Sequence, residues 1–141
     1  MFHITKLILV TGTAGAGKST ILARIAQDEK AVKVINLGTE MLNVIKEKFN
    51  ITDRDKIRML DDKNTILVRN AIMQKIIGTK EDSIIDTHAS VKQGRRYRPG
   101  FSIDELKKIR ISAIIYVDST SEEILKRSKK DKKKNKEKKR L

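Results

Sequence analysis

The chain has no cysteine, no tryptophan and a single proline, and aromatic residues make up 4% of it. Without cysteine there is neither a disulfide framework nor a thiolate metal site. With two tyrosines and three phenylalanines, few platforms exist for stacking bases, which argues against sequence-specific recognition of single strands. No apolar run comes near the roughly 20 residues of a membrane span, so no membrane partner is expected. The first apolar run, residues 7–10, leads into a glycine loop and not into a cleavage site. No secretory leader is therefore expected, and the cytoplasm is the expected compartment.

What is present is charge. Hydrophobic residues make up 38% of the 141 residues and charged residues 35%, with a formal net charge of +14. A chain of this length is normally one domain with a real core. The charge is unevenly placed. Residues 126–140 hold nine lysines and two arginines against Asp131 and Glu137, which is +9 and leaves +5 for the rest. A value of that size is ordinary for a protein that handles phosphates. The extreme basicity belongs to a tail at 126–141, with a core at 1–125.

Strand and helix patterns alternate along the core. "LILV" at 7–10 is a short continuous apolar run of the kind that forms a buried parallel strand. Ile21, Leu22 and Ile25 follow at helical spacing. "AVKVINLG" predicts a second strand stopped at Gly38, and Thr39 would cap an amphipathic helix after it. Residues 64–77 predict a third helix closed by Gly78. "SIIDTH" predicts a third strand ending near Asp86, and "QGRRYRPG" at 93–100 a loop. Ser102 would cap a short helix, "ISAIIYV" is a fourth strand, and Thr120 or Ser121 would cap a last helix. Four alternations predict an α/β fold, doubly wound, with a mainly parallel sheet. Ligands of such sheets sit beyond the carboxyl ends of the strands. The glycine loop, Gly38 and Thr39, Asp86 to His88, and Asp118 all follow strands and should gather at one edge.

The glycine loop carries the clearest chemistry. Gly12, Thr13, Ala14, Gly15, Ala16, Gly17, Lys18 and Ser19 match the phosphate-binding pattern G-x-x-x-x-G-K-[ST], between a predicted strand and a predicted helix. Successive backbone N–H groups can face a phosphate only where side chains leave room, which the glycines and small alanines provide. The helix N-terminus adds its positive dipole end. Lys18 would reach the β- and γ-phosphates of a nucleoside triphosphate, and the Ser19 hydroxyl would ligate Mg²⁺. The plain alternative is a glycine turn that only packs a helix on a strand. Elsewhere the residues leave choices open. Arg54 and Arg58, at i and i+4, could pair with Asp61 or Asp62 on a solvated face. Asp86 could hold a metal or cap its loop, His88 could be a satisfied histidine at a strand end, and Met41, Met59 and Met73 read as core filler.

Taken together, "VTGTAGAGKST", "INLGTEM", "DRDKIRMLD", "IIDTHASVK" with "YRPG", and "EEILKR" resemble the archaeal-type adenylate kinases over nearly the whole chain. The resemblance implies a P-loop kinase fold and a Mg²⁺-dependent, reversible transfer of the γ-phosphate of ATP to AMP. It implies that residues 12–20, including Thr20, bind the ATP phosphates, and that Arg127 reaches the ATP side and acts with Lys18 in catalysis. It implies AMP contacts from Gly38, Thr39, Arg58 and Lys92, and Mg²⁺ held by Ser19 and, through water, by Asp86. Homotrimers are common among such relatives.

The chain departs from that pattern in two places. Arg96 stands where a glycine usually precedes the tyrosine, here Tyr97. Family members carry arginines in the lid after "EILxR", then a further strand and a long helix. Here Lys134 and Lys136 stand where the arginines are expected, and lysine lacks the bidentate fork. The last strand and helix are expected to be missing, which leaves the fourth strand as an edge. The tail is expected to be a solvated, disordered charge run, a partial lid over ATP, or an arm binding RNA non-specifically. The rival function is accordingly a nucleotide-dependent P-loop protein docked on RNA or ribosomes through that tail.

Overall fold

The computed structural model describes residues 5–52, 60–93 and 95–138. Eleven elements follow one another along these residues. They are β1 (Leu7–Gly12), α1 (Lys18–Asp28), β2 (Lys33–Asn36), α2 (Leu37–Phe49), α3 (Asp62–Ile77) and β3 (Ser83–Asp86), then β4 (Ser90–Gln93), β5 (Arg96–Pro99), α4 (Ile103–Lys108), β6 (Ile111–Val117) and α5 (Ser121–Lys138). The main sheet has the order β2-β3-β1-β6, and every pair in it is parallel. The predicted mainly parallel α/β sheet is therefore present. The sheet's central strand, β1, is the one that runs into the glycine loop.

Alternation along β1 sorts its side chains onto two faces. Leu7 and Leu9 join Ile85 in a core with Leu37, Val44 and Ile45 of α2 and Val68, Ile72, Met73 and Ile76 of α3. Val10 and Ile84 face the other way onto Leu22 of α1. The sheet is thus covered on both faces near β1 and β3. At β6 the cover ends. Ile114, Ile115 and Tyr116 are more than half exposed or close to it, at 60%, 50% and 57%, and β6 forms one edge of the sheet, as the sequence predicts.

Local capping explains most element boundaries and corrects two expectations. The second strand stops at Asn36, not at Gly38, because the Asn36 side chain accepts from the Thr39 N–H and starts α2 there. Thr39 is therefore the capped residue and not the cap, and Gly38 lies inside the first turn. The segment 93–100, expected as a loop, contributes to an antiparallel hairpin of β4 and β5 in which Gln93 pairs with Arg96. Asp61 caps α3 through the Asn64 N–H, and Gly78 closes it. Ser102 and Glu105 form a reciprocal capping box at α4. The lysine-rich segment continues α5 as helix to Lys138, since Lys, Arg and Glu are good helix formers and propagation from a formed turn is favourable.

Arg69 of α3 ties these pieces together. It donates to both carboxylate oxygens of Glu105, at 2.7 and 2.6 Å, and to the Gly100 carbonyl at 2.8 Å. Burial pushes the Glu105 carboxyl up, but the Arg69 hydrogen bonds and charge and the Ser102 contacts outweigh it and hold the pKa below 4.5. A depressed folded-state pKa means that this stabilisation is present above the unfolded value and disappears as pH falls through the folded one. Glu105→Gln is therefore expected to lower the melting temperature near neutrality. The difference from wild type should shrink to nothing well below pH 4.5, as measured by thermal unfolding across an acid series.

Candidate nucleotide-binding site

The loop after β1 is shaped by three glycines with two different duties. Gly15 and Gly17 take positive φ values of 83° and 96°, which residues with a Cβ rarely adopt. Gly12 is instead a close-approach position, with its Cα side pressed on the Val117 backbone of β6. α1 starts at Lys18 without a side-chain cap at Gly17. Its first N–H groups are thus available to an anion at the helix's positive end.

Hydrogen bonds to the end of β6 and from α5 pin this loop in place. The Thr13 N–H donates to the Val117 carbonyl at 3.2 Å. The Thr13 hydroxyl donates to Asp118 Oδ1 at 3.0 Å and also lies 3.0 Å from the Tyr116 hydroxyl, so Tyr116 is placed to donate to it. From α5, Arg127 Nη1 donates to the Gly15 carbonyl at 3.2 Å. Thr87, after β3, donates its N–H to the Val10 carbonyl at 3.1 Å. The strand ends therefore converge as the sequence predicts.

Lys18 and Asp86 are buried, at 7% and 6% exposure, and form an ion pair between Lys18 Nζ and Asp86 Oδ1. The second carboxylate oxygen, Oδ2, accepts from Asn36 Nδ2 at 2.7 Å. A buried charge pair needs such additional hydrogen bonds to offset its desolvation. Beside it opens a cleft of about 700 Å³, walled by the glycine loop on one side and by Ile124, Arg127, Ser128, Asp131 and Lys132 of α5 on the other. That volume lies within the range of ordinary small-molecule sites.

The structure brings most of the expected residues together. Thr13, Ala14, Gly15, Gly17, Lys18, Ser19, Thr20 and Arg127 line the cleft. Gly12 and Ala16 are buried beneath it. Gly38 and Thr39 open α2, next to Asn36 and hence one side chain away from Asp86. Lys92 stands in β4 in register with Tyr97. Arg54 and Arg58 lie outside the described residues. Sequence reasoning missed Asn36, although it sits in the quoted "INLGTEM", and it missed Tyr116 as a partner of Thr13. His88, which the sequence allows as a satisfied histidine at a strand end, lines the cleft. The i, i+3, i+7 spacing of Ile124, Arg127 and Asp131 could have shown that one face of α5 turns toward the loop.

Comparison with known proteins agrees with this geometry. A family model described as an AAA domain matches residues 11–141. The adenylate kinase of Thermoplasma acidophilum is 38% identical over 124 residues, 87% of this chain and 66% of that protein. That of Pyrobaculum aerophilum is 35% identical over 127 residues, 88% of this chain and 64% of that protein. That of Methanopyrus kandleri is 30% identical over 128 residues, covering 89% and 67%. The chain thus spans about two thirds of the length of these relatives. Among solved structures, a sugar kinase from Janibacter aligns over 90% of this chain and 68% of its own at TM-score 0.55 and 20% identity. A chain of an RNA repair complex aligns over 93% of this chain and 39% of its own at TM-score 0.59 and 17% identity. Likenesses this distant speak for the fold alone. With a glycine loop closed on a buried lysine–aspartate pair and relatives that share most of its length, this chain belongs to the archaeal adenylate kinases within the P-loop kinases.

Proposed function

We propose that this chain carries the phosphoryl-transfer core of an adenylate kinase, moving the γ-phosphoryl group of ATP to AMP to give two ADP. The observation that carries the reading is the meeting of three elements at Asp86. Lys18 of the glycine loop pairs with one of its oxygens, and Asn36, the residue that starts α2 with Gly38 and Thr39, holds the other. Donor-side and acceptor-side elements are thus joined at one carboxylate. The curated relatives are adenylate kinases, which supports this acceptor and lends nothing to the RNA-associated alternative.

In this reading the loop N–H groups and Lys18 bind the triphosphate, while Arg127, already on the Gly15 carbonyl, faces the developing charge on the transferred group. Preorganised cations of this kind supply most of the catalysis in phosphoryl transfer. The AMP phosphate is the nucleophile. Its second pKa is about 6, so it is largely ionised near neutrality and needs no general base. The Ser19 hydroxyl and the Asp86 carboxylate fit Mg²⁺, which takes hard oxygen ligands, commonly one or two carboxylates together with waters and substrate phosphates. No cluster of three or more His, Cys, Asp or Glu side chains forms a metal cage among the described residues. When bound, Mg²⁺ would neutralise charge on the β- and γ-oxygens.

The test is to incubate the purified chain with ATP, AMP and Mg²⁺ and follow ADP by phosphorus NMR. Two ADP per AMP consumed is the expected result. ATP binding without any ADP formed would overturn the assignment of AMP as acceptor. The proposed AMP clamp, Arg58, gives a second check. Losing a charge-assisted hydrogen bond of about 2 kcal/mol corresponds to a rise of roughly tenfold or more in the KM for AMP. Arg58→Ala should produce that rise with little change in the KM for ATP. Equal effects on both nucleotides would point instead to a general structural role.

A further inference from the structure

Asn36 has two ends that face different partners. Its Nδ2 donates to Asp86 Oδ2 at 2.7 Å, while its Oδ1 accepts from the Thr39 N–H at 2.9 Å and from the Thr39 hydroxyl at 3.1 Å. The placement follows from strand register, since Asn36 and Asp86 are the last paired residues of β2 and β3. Asp86 is buried, so its bond to Asn36 is made away from water, where it is stronger and costlier to lose. Serine, aspartate or glycine could also start α2. An asparagine alone among the good caps offers an N–H donor to the neighbouring strand while its oxygen caps the helix.

Asp86 divides its oxygens between a cation and a neutral amide. Oδ1 is held by Lys18, a flexible side chain that phosphates would attract away. Oδ2 is held by Asn36, whose amide is fixed at both ends. We propose that Asn36 is a positioning residue that keeps the Asp86 carboxylate aimed at the Mg²⁺-nucleotide after Lys18 has turned to the phosphates, and that ties its position to the start of α2. Asn36 touches neither nucleotide in this scheme and acts through Asp86. The inference rests on the adenylate kinase reading of Asp86.

The experiment measures ATP affinity of the full 141-residue chain by calorimetry, once with Mg²⁺ and once with EDTA, alongside thermal unfolding. The ratio of the two affinities is the Mg²⁺-dependent gain. Asp86→Asn tests the underlying reading and should abolish that gain. Asn36→Ser keeps a capping oxygen but is too short to reach Asp86. It should reduce the gain by about tenfold, the usual effect of losing a residue that orients a metal-binding group. Its affinity in EDTA should stay near that of wild type, while its melting temperature falls by a few degrees for the buried hydrogen bond lost. Asn36→Gly, which also starts helices well, should behave alike and serves if the serine variant does not fold. If Asp86→Asn loses the gain while both Asn36 variants keep it, the proposal is overturned and Asn36 is a helix cap only. If Asp86→Asn keeps the gain, the reading of Asp86 falls and the proposal falls with it.

Discussion

Lys18→Ala is expected to slow ADP formation by about 10²-fold or more, because it removes the loop's own cation from the transferred phosphoryl group. The sequence suggests that such a change would leave the fold alone, since a residue that faces ligand contributes little to packing. The structure alters that expectation. Lys18 is buried and its ammonium neutralises Asp86. The alanine variant leaves a buried carboxylate with only Asn36 for support. Breaking a buried pair from one side costs about 3 kcal/mol or more, which corresponds to a fall of roughly 10 °C in Tm for a chain of this size. The double variant Lys18→Ala, Asp86→Ala removes both charges and should recover most of that loss in Tm. It should recover none of the activity. Differential scanning calorimetry and the ADP assay, run on the same three proteins, separate the two effects. A single variant with full turnover would remove Lys18 from the reaction.

Gly12→Ala should be damaging for a different reason. A Cβ at this position would lie 2.1 Å from the Val117 carbonyl oxygen and 3.0 Å from its carbon. Both are backbone atoms of the neighbouring strand, so no side chain can swing aside. The end of β1 must then part from β6, which breaks the bond from the Thr13 N–H to the same carbonyl and carries the glycine loop with it. Overpacking of this kind costs about 1–3 kcal/mol, and ATP affinity should fall by about tenfold or more as the loop's N–H groups lose their aim. Gly38→Ala is a control for stability alone, since Gly38 stands on the proposed AMP side. Its Cβ would meet only the Asn36 Oδ1 at 3.3 Å, and α2 gains from alanine what it loses to crowding. If Gly12→Ala bound ATP as tightly as wild type, the loop would be more tolerant than its packing against β6 allows.

What the sequence determined by itself was written in contiguous residues. The glycine loop announces its chemistry because one stretch supplies the turn, the small side chains, the cation and the helix start. The alternation of strand and helix, the capping box at Ser102 and the close of α3 at Gly78 are equally local, since each depends on residues within one turn or one strand. The resemblance to adenylate kinases drew on several such stretches at once. Other features depend on pairs distant in the chain. Asn36 reaches Asp86, Arg69 reaches Glu105 and Gly100, and Thr13 reaches Tyr116 and Asp118. Each member of these pairs is an ordinary residue in its own segment. Arg69 reads as one more charge on a helix, and Asn36 as the end of a strand. Only the sheet order β2-β3-β1-β6 and its register put them within reach. Partners in register in this sheet lie 50 or more residues apart in the chain, as Asn36 and Asp86 do, so no local pattern records which polar ends will meet. The continuation of α5 through the lysines was open for the opposite reason. A charge run can be helix or coil by composition, and the cleft wall formed by Arg127, Asp131 and Lys132 becomes visible only when the helix is set against the loop.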